Sequence, residues 1–161
     1  AANYKGPVYI RMGRAKVAEI FDESYTYEYG KGVTLKEGKD VTIIAMGIMV
    51  EKALQASELL AADGIEATVI NMSTVKPIDA ELIVASAKKT GAVVTCEEHT
   101  INGALGGAVA EVLSEQCPTL LKRVGMNDVF GESGTPGELL EKYGLTAAHI
   151  AAEAKAVIAS K

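Results

Sequence analysis

Several residue types and patterns are scarce in this chain, and each scarcity excludes a class of protein. The 161 residues include no tryptophan, two cysteines and four prolines, and only 5% are aromatic. Cys96 lies in a predicted buried strand and Cys117 directly precedes Pro118, a spacing from which no disulfide can be inferred. We therefore expect both thiols to be reduced, which excludes a disulfide-stabilised secreted scaffold.

Long apolar runs and basic clusters are also missing. No apolar run approaches the roughly 20 residues needed to cross a bilayer, and the first residues lack the basic-then-apolar pattern of a signal peptide. Sixteen basic residues against 21 acidic ones give a net charge of −5, with no basic stripe to neutralise a nucleic-acid backbone. We therefore expect a cytoplasmic protein whose partners include neither nucleic acid nor membrane.

What the chain does have is an alternation of strand and helix patterns typical of a globular protein. Apolar residues make up 48% of the sequence and charged residues 23%. Five segments read as strands: 33–35, 41–47, 67–72, 91–97 and 120–126. The Glu37–Asp40 turn predicts that the first two of them are adjacent, as a hairpin.

Segments with helical spacing separate the later strands. Parallel neighbours require crossovers, and these cover both faces of a sheet. The pattern predicts an α/β fold with three layers, α/β/α, around a five-stranded, mostly parallel sheet with one antiparallel edge strand.

Several helix ends can be predicted from single residues. Gly64 supplies the left-handed residue that ends one helix, and Asp79 can accept a hydrogen bond from the first turn of the next. Thr135 and Glu138 flank Pro136 in the pattern of a capping box. Thr146 is predicted to open the last helix.

The first 32 residues differ from the rest. Residues 6–12 read as a short β-segment that ends at Gly13 and Arg14, with no visible partner strand. Residues 17–32 have neither a helical nor a strand period, and we interpret them as a connection across a surface. The only domain boundary that the sequence indicates lies within residues 15–32.

A polar run follows a predicted parallel strand, at the edge where open α/β sheets bind ligands. Cys96–His99 resembles part of a zinc or acid–base site, but the other candidate ligands, Cys117 and His149, lie far away without paired spacing. We therefore predict no metal site, and a polar loop or subunit-interface contact instead. The candidate residues for that contact are Glu97, Glu98, His99, Gly103 and Gly106.

The glycine turn at residues 103–107 opens a helix, whose N-terminal amides could hold an anion. It matches neither the dinucleotide-binding pattern nor the P-loop pattern. Close packing of helix on strand is therefore the preferred interpretation of this turn.

Catalytic patterns are weak throughout the sequence. There is no Ser-His-Asp order, nucleophile elbow or pair of catalytic carboxylates, so we predict no catalytic residue. The loop Phe130–Gly134 reads as a turn whose glycines permit positive φ.

Two arginines, Arg11 and Arg14, lie at a predicted strand end. A guanidinium in this position can hold a phosphate through two parallel hydrogen bonds. A lone surface arginine, however, is ordinarily solvated or in a weak ion pair.

Taken together, these segments resemble the transketolase family, in particular its C-terminal section where the enzyme is encoded as two polypeptides. Leu139–Leu145 and the preceding loop look more like transketolase than like two relatives that share this domain, deoxyxylulose-phosphate synthase and the beta subunits of 2-oxo acid dehydrogenases. The order and spacing of the motifs agree from about residue 6 to the end. The motifs are Gly6–Arg14, Val75–Asp79, Glu97–His99 with Gly103–Gly107, and Gly125–Gly134.

The resemblance implies a division of the chain and a reaction. Residues 1–14 would be the terminal strand of a preceding pyrimidine-binding domain, 15–32 a linker and 33–161 the transketolase C-terminal domain. The parent enzyme would transfer a two-carbon ketol group between sugar phosphates of the pentose phosphate pathway, using thiamine diphosphate and Mg²⁺. In the family, the motifs that hold this cofactor lie in other domains, so none is expected to bind here.

For individual residues, the resemblance implies one site. Arg14 aligns with the family arginine that grips the substrate phosphate. The domain would pack on the pyrimidine domain and the N-terminal portion, support a homodimer and be inactive alone. Two alternatives remain: a fragment of deoxyxylulose-phosphate synthase or of a 2-oxo acid dehydrogenase beta subunit, and a free-standing regulatory domain that binds a small ligand near residues 97–107.

Overall fold

A computed structural model describes residues 1–13 and 16–161, and these contain five strands and five helices. None of the helices in this part of the chain has the length and apolarity that a bilayer crossing requires. The elements in chain order are β1 (Val33–Lys36), β2 (Val41–Ala45), α1 (Met49–Ala62), β3 (Ala67–Asn71), α2 (Ala80–Thr90), β4 (Ala92–Thr100), α3 (Leu105–Gln116), β5 (Leu120–Met126), α4 (Pro136–Lys142) and α5 (Ala147–Ile158).

The five strands form one sheet in the order β1-β3-β2-β4-β5. Strands β3, β2, β4 and β5 run parallel, and β1 runs antiparallel at the edge beside β3. Side chains in β2 are buried along its whole length, as expected for a central strand covered by helices on both faces. The predicted fold, with one antiparallel edge strand, is confirmed.

The predicted hairpin between the first two strands is wrong. Strand β1 pairs with β3, with Val33 opposite Asn71, while both edges of β2 are taken by the parallel strands β3 and β4. The connecting turn is fixed on the start of β3, because Gly38 N–H donates to Thr68 Oγ1 at 3.0 Å and the same hydroxyl donates to Gly38 O at 2.8 Å. The turn therefore crosses the start of β3, and β1 lies on the free edge of that strand.

Apolar side chains fill the space on both faces of the sheet. On one face, Ile43 and Val94 belong to a buried cluster with helices α1 and α5. On the other face, Ile44 and Val93 belong to a second cluster with α2 and α3. Adjacent residues of one strand therefore serve opposite layers, as the two-residue period of a strand requires.

The helix ends follow the predicted chemistry. Asp79 accepts a hydrogen bond from Leu82 N–H at 3.2 Å, and Thr135 and Glu138 form the predicted capping box. Thr146 caps α5 through its side chain, and Gly64 has φ +77° just after α1. Because these signals are local, they could be read from a few adjacent residues.

The N-terminal segment runs along the domain without regular structure. None of residues 1–13 and 16–32 lies in a helix or strand, so the β-segment predicted at residues 6–12 is not a strand here. A strand needs a hydrogen-bonded neighbour, and none of the described strands pairs with these residues.

The last part of the segment contacts the loop between β3 and α2. The Tyr27 hydroxyl lies 2.9 Å from Thr74 Oγ1, and Gly32 N–H donates to Asp79 Oδ2 at 3.1 Å. Residues 27–32 thus follow the loop between β3 and α2.

Candidate functional site at the carboxyl edge of the sheet

The strand order creates a crevice between the carboxyl ends of β2 and β4. The connection after β2 leads to β3 on one side, whereas the connection after β4 leads to β5 on the other. Open α/β sheets bind ligands where neighbouring connections diverge in this way. Met46 N–H donates to Cys96 O at 3.3 Å, so the two strand ends are joined at the base of the crevice.

The buried side chain of Glu97 caps the N-terminus of helix α3. Its side chain is fully buried, and its two carboxylate oxygens accept hydrogen bonds from Leu105 N–H at 2.9 Å and Gly106 N–H at 2.8 Å. The first amides of a helix have no partners within the helix, and the positive helix end favours an anion. The chain's own carboxylate therefore fills the position that a bound anion would take at this turn.

Gly106 is required by close packing. A Cβ atom at this position would lie 2.9 Å from both Thr95 Oγ1 and Arg123 Cδ. The close helix-on-strand packing predicted for the turn is confirmed at Gly106. Gly103, by contrast, has φ +72° and is exposed, so its role is to turn the chain before the helix.

Cys96 and Glu97 cannot share a site. Cys96 is completely buried in the cluster facing α1 and α5, whereas Glu97 points to the opposite face of the sheet, toward α3. Burial raises the pKa of the Cys96 thiol, and the nearby negative charge of Glu97 raises it further, so this thiol stays protonated. No group of three or more metal-ligating side chains forms within residues 1–13 and 16–161.

The segment after Glu97 is fixed at the edge of the sheet by its backbone. Ile101 N–H donates to Met126 O at 3.0 Å, and Arg123 Nη1 donates to Ile101 O at 2.8 Å. His99 is half-buried, with Nδ1 3.0 Å from Thr100 O, and Glu98 is exposed. Of the predicted interface or loop residues, Glu97 and Gly106 are thus internal; an interface role for Glu98, His99 and Gly103 stays a prediction.

Part of the N-terminal segment lies over the crevice. Arg11 Nη2 donates to Glu98 O at 2.7 Å, across 87 positions of sequence. Ile20 packs against the buried cluster of α1 and α5 and lines the same cleft as Ile48. The resulting cleft is lined on one side by this segment and on the other by the ends of β2 and β3 with the loops that follow them, the start of α1, and Glu98 of β4. Arg14, the predicted phosphate-binding residue, lies outside the described residues.

The loop between β5 and α4 projects an aromatic ring outward. Phe130 is 100% exposed, and its neighbour Val129 is 54% exposed. The positive φ in this loop belongs to Asp128, at 53°, and not to Gly131 or Gly134 as the sequence suggested. Gly134 instead makes room for Leu139, whose Cδ2 would lie 2.9 Å from a Cβ atom there.

Sequence reasoning missed two features of this edge. The sequence predicts a solvated side chain or a weak ion pair for Arg11, yet its guanidinium donates to the Glu98 carbonyl, because the tertiary fold brings these residues together. The capping role of Glu97 was also missed, because a side-chain cap is ordinarily sought immediately before a helix and Glu97 precedes Leu105 by eight positions.

Comparison with known proteins agrees with this geometry. The family model described as "Transketolase, C-terminal domain" matches residues 30–150. The chain belongs to the transketolase family, as its C-terminal domain. A chain described as "Split gene transketolase, inactive beta4 tetramer" superposes with a TM-score of 0.95 at 57% identity, over 98% of this chain and 52% of that chain.

Curated relatives carry related names. The 6-deoxy-6-sulfo-D-fructose transketolase subunit SqwH of Clostridium sp. (strain MSTE9) is 51% identical, over 98% of this chain and 49% of its own length. The putative transketolase C-terminal section of Methanocaldococcus jannaschii is 50% identical, over 93% and 48%. A 1-deoxy-D-xylulose-5-phosphate synthase of Heliobacterium modesticaldum is 42% identical, over 96% and 24%. This transketolase domain therefore spans about half the length of the first two relatives.

Proposed function

We propose that this chain is the C-terminal part of a split transketolase that transfers a two-carbon ketol group between sugar phosphates. One observation carries the proposal: three proteins with transketolase names are 50 to 57% identical over nearly the whole chain, whereas four synthase relatives are 37 to 45% identical. The proposed division, with residues 1–14 ending a preceding domain and 15–32 as linker, is consistent with a family match that begins at residue 30.

We propose that thiamine diphosphate and Mg²⁺ bind outside this domain. In support, the described residues bring together no group of three His, Cys, Asp or Glu side chains that could hold a metal ion. The buried carboxylate of Glu97 already accepts two amide hydrogen bonds. We propose that the N-terminal portion of the parent enzyme holds the cofactor, and that this domain supplies support at the edge of the active centre.

The domain is proposed to act only in assembly with that portion. Large apolar side chains of the N-terminal segment, such as Tyr9 and Met12, are exposed and would be covered by it. One similar solved chain is described as an inactive beta4 tetramer, which supports the proposal that this part is inactive by itself and self-associates, a homodimer being the simplest form. Arg14 is proposed to bind the substrate phosphate.

Reconstitution tests this function directly. The purified chain should show no saturable heat with thiamine diphosphate and Mg²⁺ in calorimetry and no turnover of sugar phosphates. Addition of the N-terminal portion should restore ketol transfer. Saturable cofactor binding to the chain alone, or unaided turnover, would contradict the proposal.

The donor substrate separates transketolase from the synthase alternative. Relatives are named for a sulfo-sugar and for apulose 4-phosphate, so the test uses a panel of ketose donors. Activity with xylulose 5-phosphate or another ketose phosphate supports transketolase, and activity with pyruvate supports the synthase.

A free-standing regulatory domain is the weaker candidate. Its pocket would have to use the α3 amides that Glu97 occupies, and none of the described residues 6–13 pairs with the sheet.

A further inference from the structure

One buried carboxylate joins two parts of the chain that are 47 positions apart. The side chain of Asp79 is buried, and its Oδ1 accepts a hydrogen bond at 3.2 Å from Leu82 N–H, in the first turn of α2. Its other oxygen, Oδ2, accepts a hydrogen bond at 3.1 Å from Gly32 N–H, at the end of the N-terminal segment. The segment and the start of α2 therefore depend on the same acceptor group.

Both amides lie outside the regular hydrogen bonding of their elements. The Leu82 amide belongs to the first turn of α2, whose N–H groups have no acceptor within the helix. The Gly32 amide precedes β1, whose pairing with β3 begins at Val33 opposite Asn71. If the Asp79 side chain leaves its position, both amides lose their acceptor together. Because an unpaired buried donor costs free energy, the two parts should open in one step.

Two tyrosines of the segment contact the loop between β3 and α2. The Tyr27 hydroxyl lies 2.9 Å from Oγ1 of the buried Thr74, and the Tyr29 hydroxyl donates to Lys76 O at 3.3 Å. Both rings are about half exposed, so the tyrosines meet the loop chiefly through their hydroxyl groups. Together with the Gly32 contact to Asp79, these bonds follow the loop from its first residues to the start of α2.

Two glycines allow the backbone of the segment to lie directly against the domain. A Cβ atom at Gly30, which has φ +79°, would lie 3.0 Å from Pro77 Cγ. A Cβ atom at Gly32 would lie 2.8 Å from Leu82 Cδ2 and 3.0 Å from Met72 Cε. The segment is therefore packed against the loop and α2 as closely as its backbone permits.

The ion pairs of Lys31 add little to this attachment. Its Nζ lies 3.7 Å from Asp79 Oδ1 and 3.4 Å from Glu81 Oε2, but the side chains of Lys31 and Glu81 are 45% and 92% exposed. Exposed ion pairs contribute little to stability and are screened by salt. The attachment therefore depends mainly on the hydrogen bonds of the buried carboxylate.

We propose that residues 27–32, the loop between β3 and α2, and the first turn of α2 open and close as one local unit, which the Asp79 carboxylate holds closed. Within the proposed linker, residues 27–32 are then a fixed part of the domain. Asn71 at the end of β3 and Ser73 in the loop line the cleft at the carboxyl edge, so opening of the unit loosens one wall of that cleft. The unit forms within the domain, whatever reaction the parent enzyme catalyses.

Amide hydrogen exchange of the purified chain, followed by NMR at increasing urea concentrations, tests the unit. The amides of Gly32 and Leu82 are expected to have protection factors that agree within about threefold and depend equally on urea. Both should open more readily than the amide of Ile43, because both edges of the central strand β2 are paired. A Gly32 amide that exchanges as fast as in an unstructured peptide, with Leu82 protected, would overturn the inference.

A change far from the carboxylate shows whether the unit opens as a whole. Tyr27→Phe removes the hydroxyl that contacts Thr74 and is expected to lower the protection factors of both Gly32 and Leu82 about tenfold. Thr74→Val removes the other partner of the same contact and should lower the same two protection factors. The amide of Tyr143 at the end of α4 should be unaffected, because this peripheral helix opens separately.

A matched variant controls for the loss of a tyrosine hydroxyl. Tyr9 lies in the same segment and is 88% exposed, so Tyr9→Phe should change neither protection factor. If Tyr27→Phe and Thr74→Val lower the protection of Gly32 alone, the segment opens independently of α2 and the single unit is disproved. Equal effects of Tyr27→Phe and Tyr9→Phe would disprove it as well.

Discussion

Isoleucines in the two regions of this chain have opposite environments. Ile70 in β3 is completely buried in the cluster between the sheet and helices α2 and α3, whereas Ile10 in the N-terminal segment is 59% exposed. Most large apolar side chains of residues 33–161 are buried in two clusters, with Phe130 a fully exposed exception, while Tyr9 and Met12 of the segment are largely uncovered. The sheet domain therefore buries most of its large apolar side chains against one another. The N-terminal segment has apolar side chains that the domain does not cover.

Polar groups follow the same division. In the sheet domain, both carboxylate oxygens of Glu97 accept hydrogen bonds from the first amides of α3. The buried hydroxyls of Thr42 and Thr90 form a hydrogen bond with each other at 2.9 Å. In the segment, the Arg11 guanidinium uses one donor on Glu98 and is otherwise open to solvent. The Glu97 carboxylate is thus engaged within the domain, whereas the Arg11 side chain is exposed on the surface.

The largest expected effect tests the contrast in packing. Ile70→Ala should lower the free energy of unfolding of the chain by about 2–5 kcal/mol, because it leaves a cavity between layers. The same change at Ile10 should stay within about 0.5 kcal/mol, because this side chain is mostly solvated. Urea denaturation followed by circular dichroism measures both, and equal losses would show that the segment belongs to the core.

A second pair of variants compares neighbouring carboxylates. Glu97→Gln should cost about 1–3 kcal/mol, since its amide group cannot accept from both α3 N–H groups and one buried donor loses its partner. Glu98→Gln, at an exposed position, should change stability by less than about 0.5 kcal/mol. Chemical denaturation measures the free energy of unfolding of both variants. An unchanged value for Glu97→Gln would show that the cap is dispensable for stability.

Adjacent glycines in α3 offer a sharper comparison. Gly106→Ala should destabilise the chain by about 1–3 kcal/mol, because the new methyl group meets Thr95 and Arg123. Gly107→Ala meets nothing within 4 Å and should stabilise the helix by about 0.5–1 kcal/mol. Thermal unfolding of both variants should move in opposite directions; a shift in the same direction would contradict the packing described for Gly106.

The smallest expected effect concerns the loop before α4. Hydrogen bonds from Lys142 and Tyr143 hold the pKa of Glu132 below its usual value. The folded state thus favours the charged form, so this contribution to stability is present above the ordinary carboxyl pKa and is lost as pH falls through the lowered one. Carbon NMR titration should show Glu132 ionising below the ordinary glutamate pKa, and Lys142→Met should raise the pKa of Glu132 toward that ordinary value.

The fold could be predicted from sequence where the signals are local or periodic. Buried strands such as residues 41–45, the caps at Asp79 and Thr135, and the α/β alternation all depend on a few adjacent residues. The hairpin prediction was wrong because strand pairing depends on which edge is free after the parallel strands have assembled. Close packing at Gly106 was anticipated, but the atoms that enforce it, on Thr95 and Arg123, come from two different strands.

By itself, the sequence determined the layers of the sheet domain and, through its ordered motifs, the family, because hydrophobic period and motif order are properties of the linear chain. The tertiary structure decided which partners the charged side chains contact at the carboxyl edge of the sheet. Glu97 faces inward to a helix eight positions away, and Arg11 reaches a carbonyl 87 positions away. Contacts over such separations arise only when the strands have taken their places in the sheet.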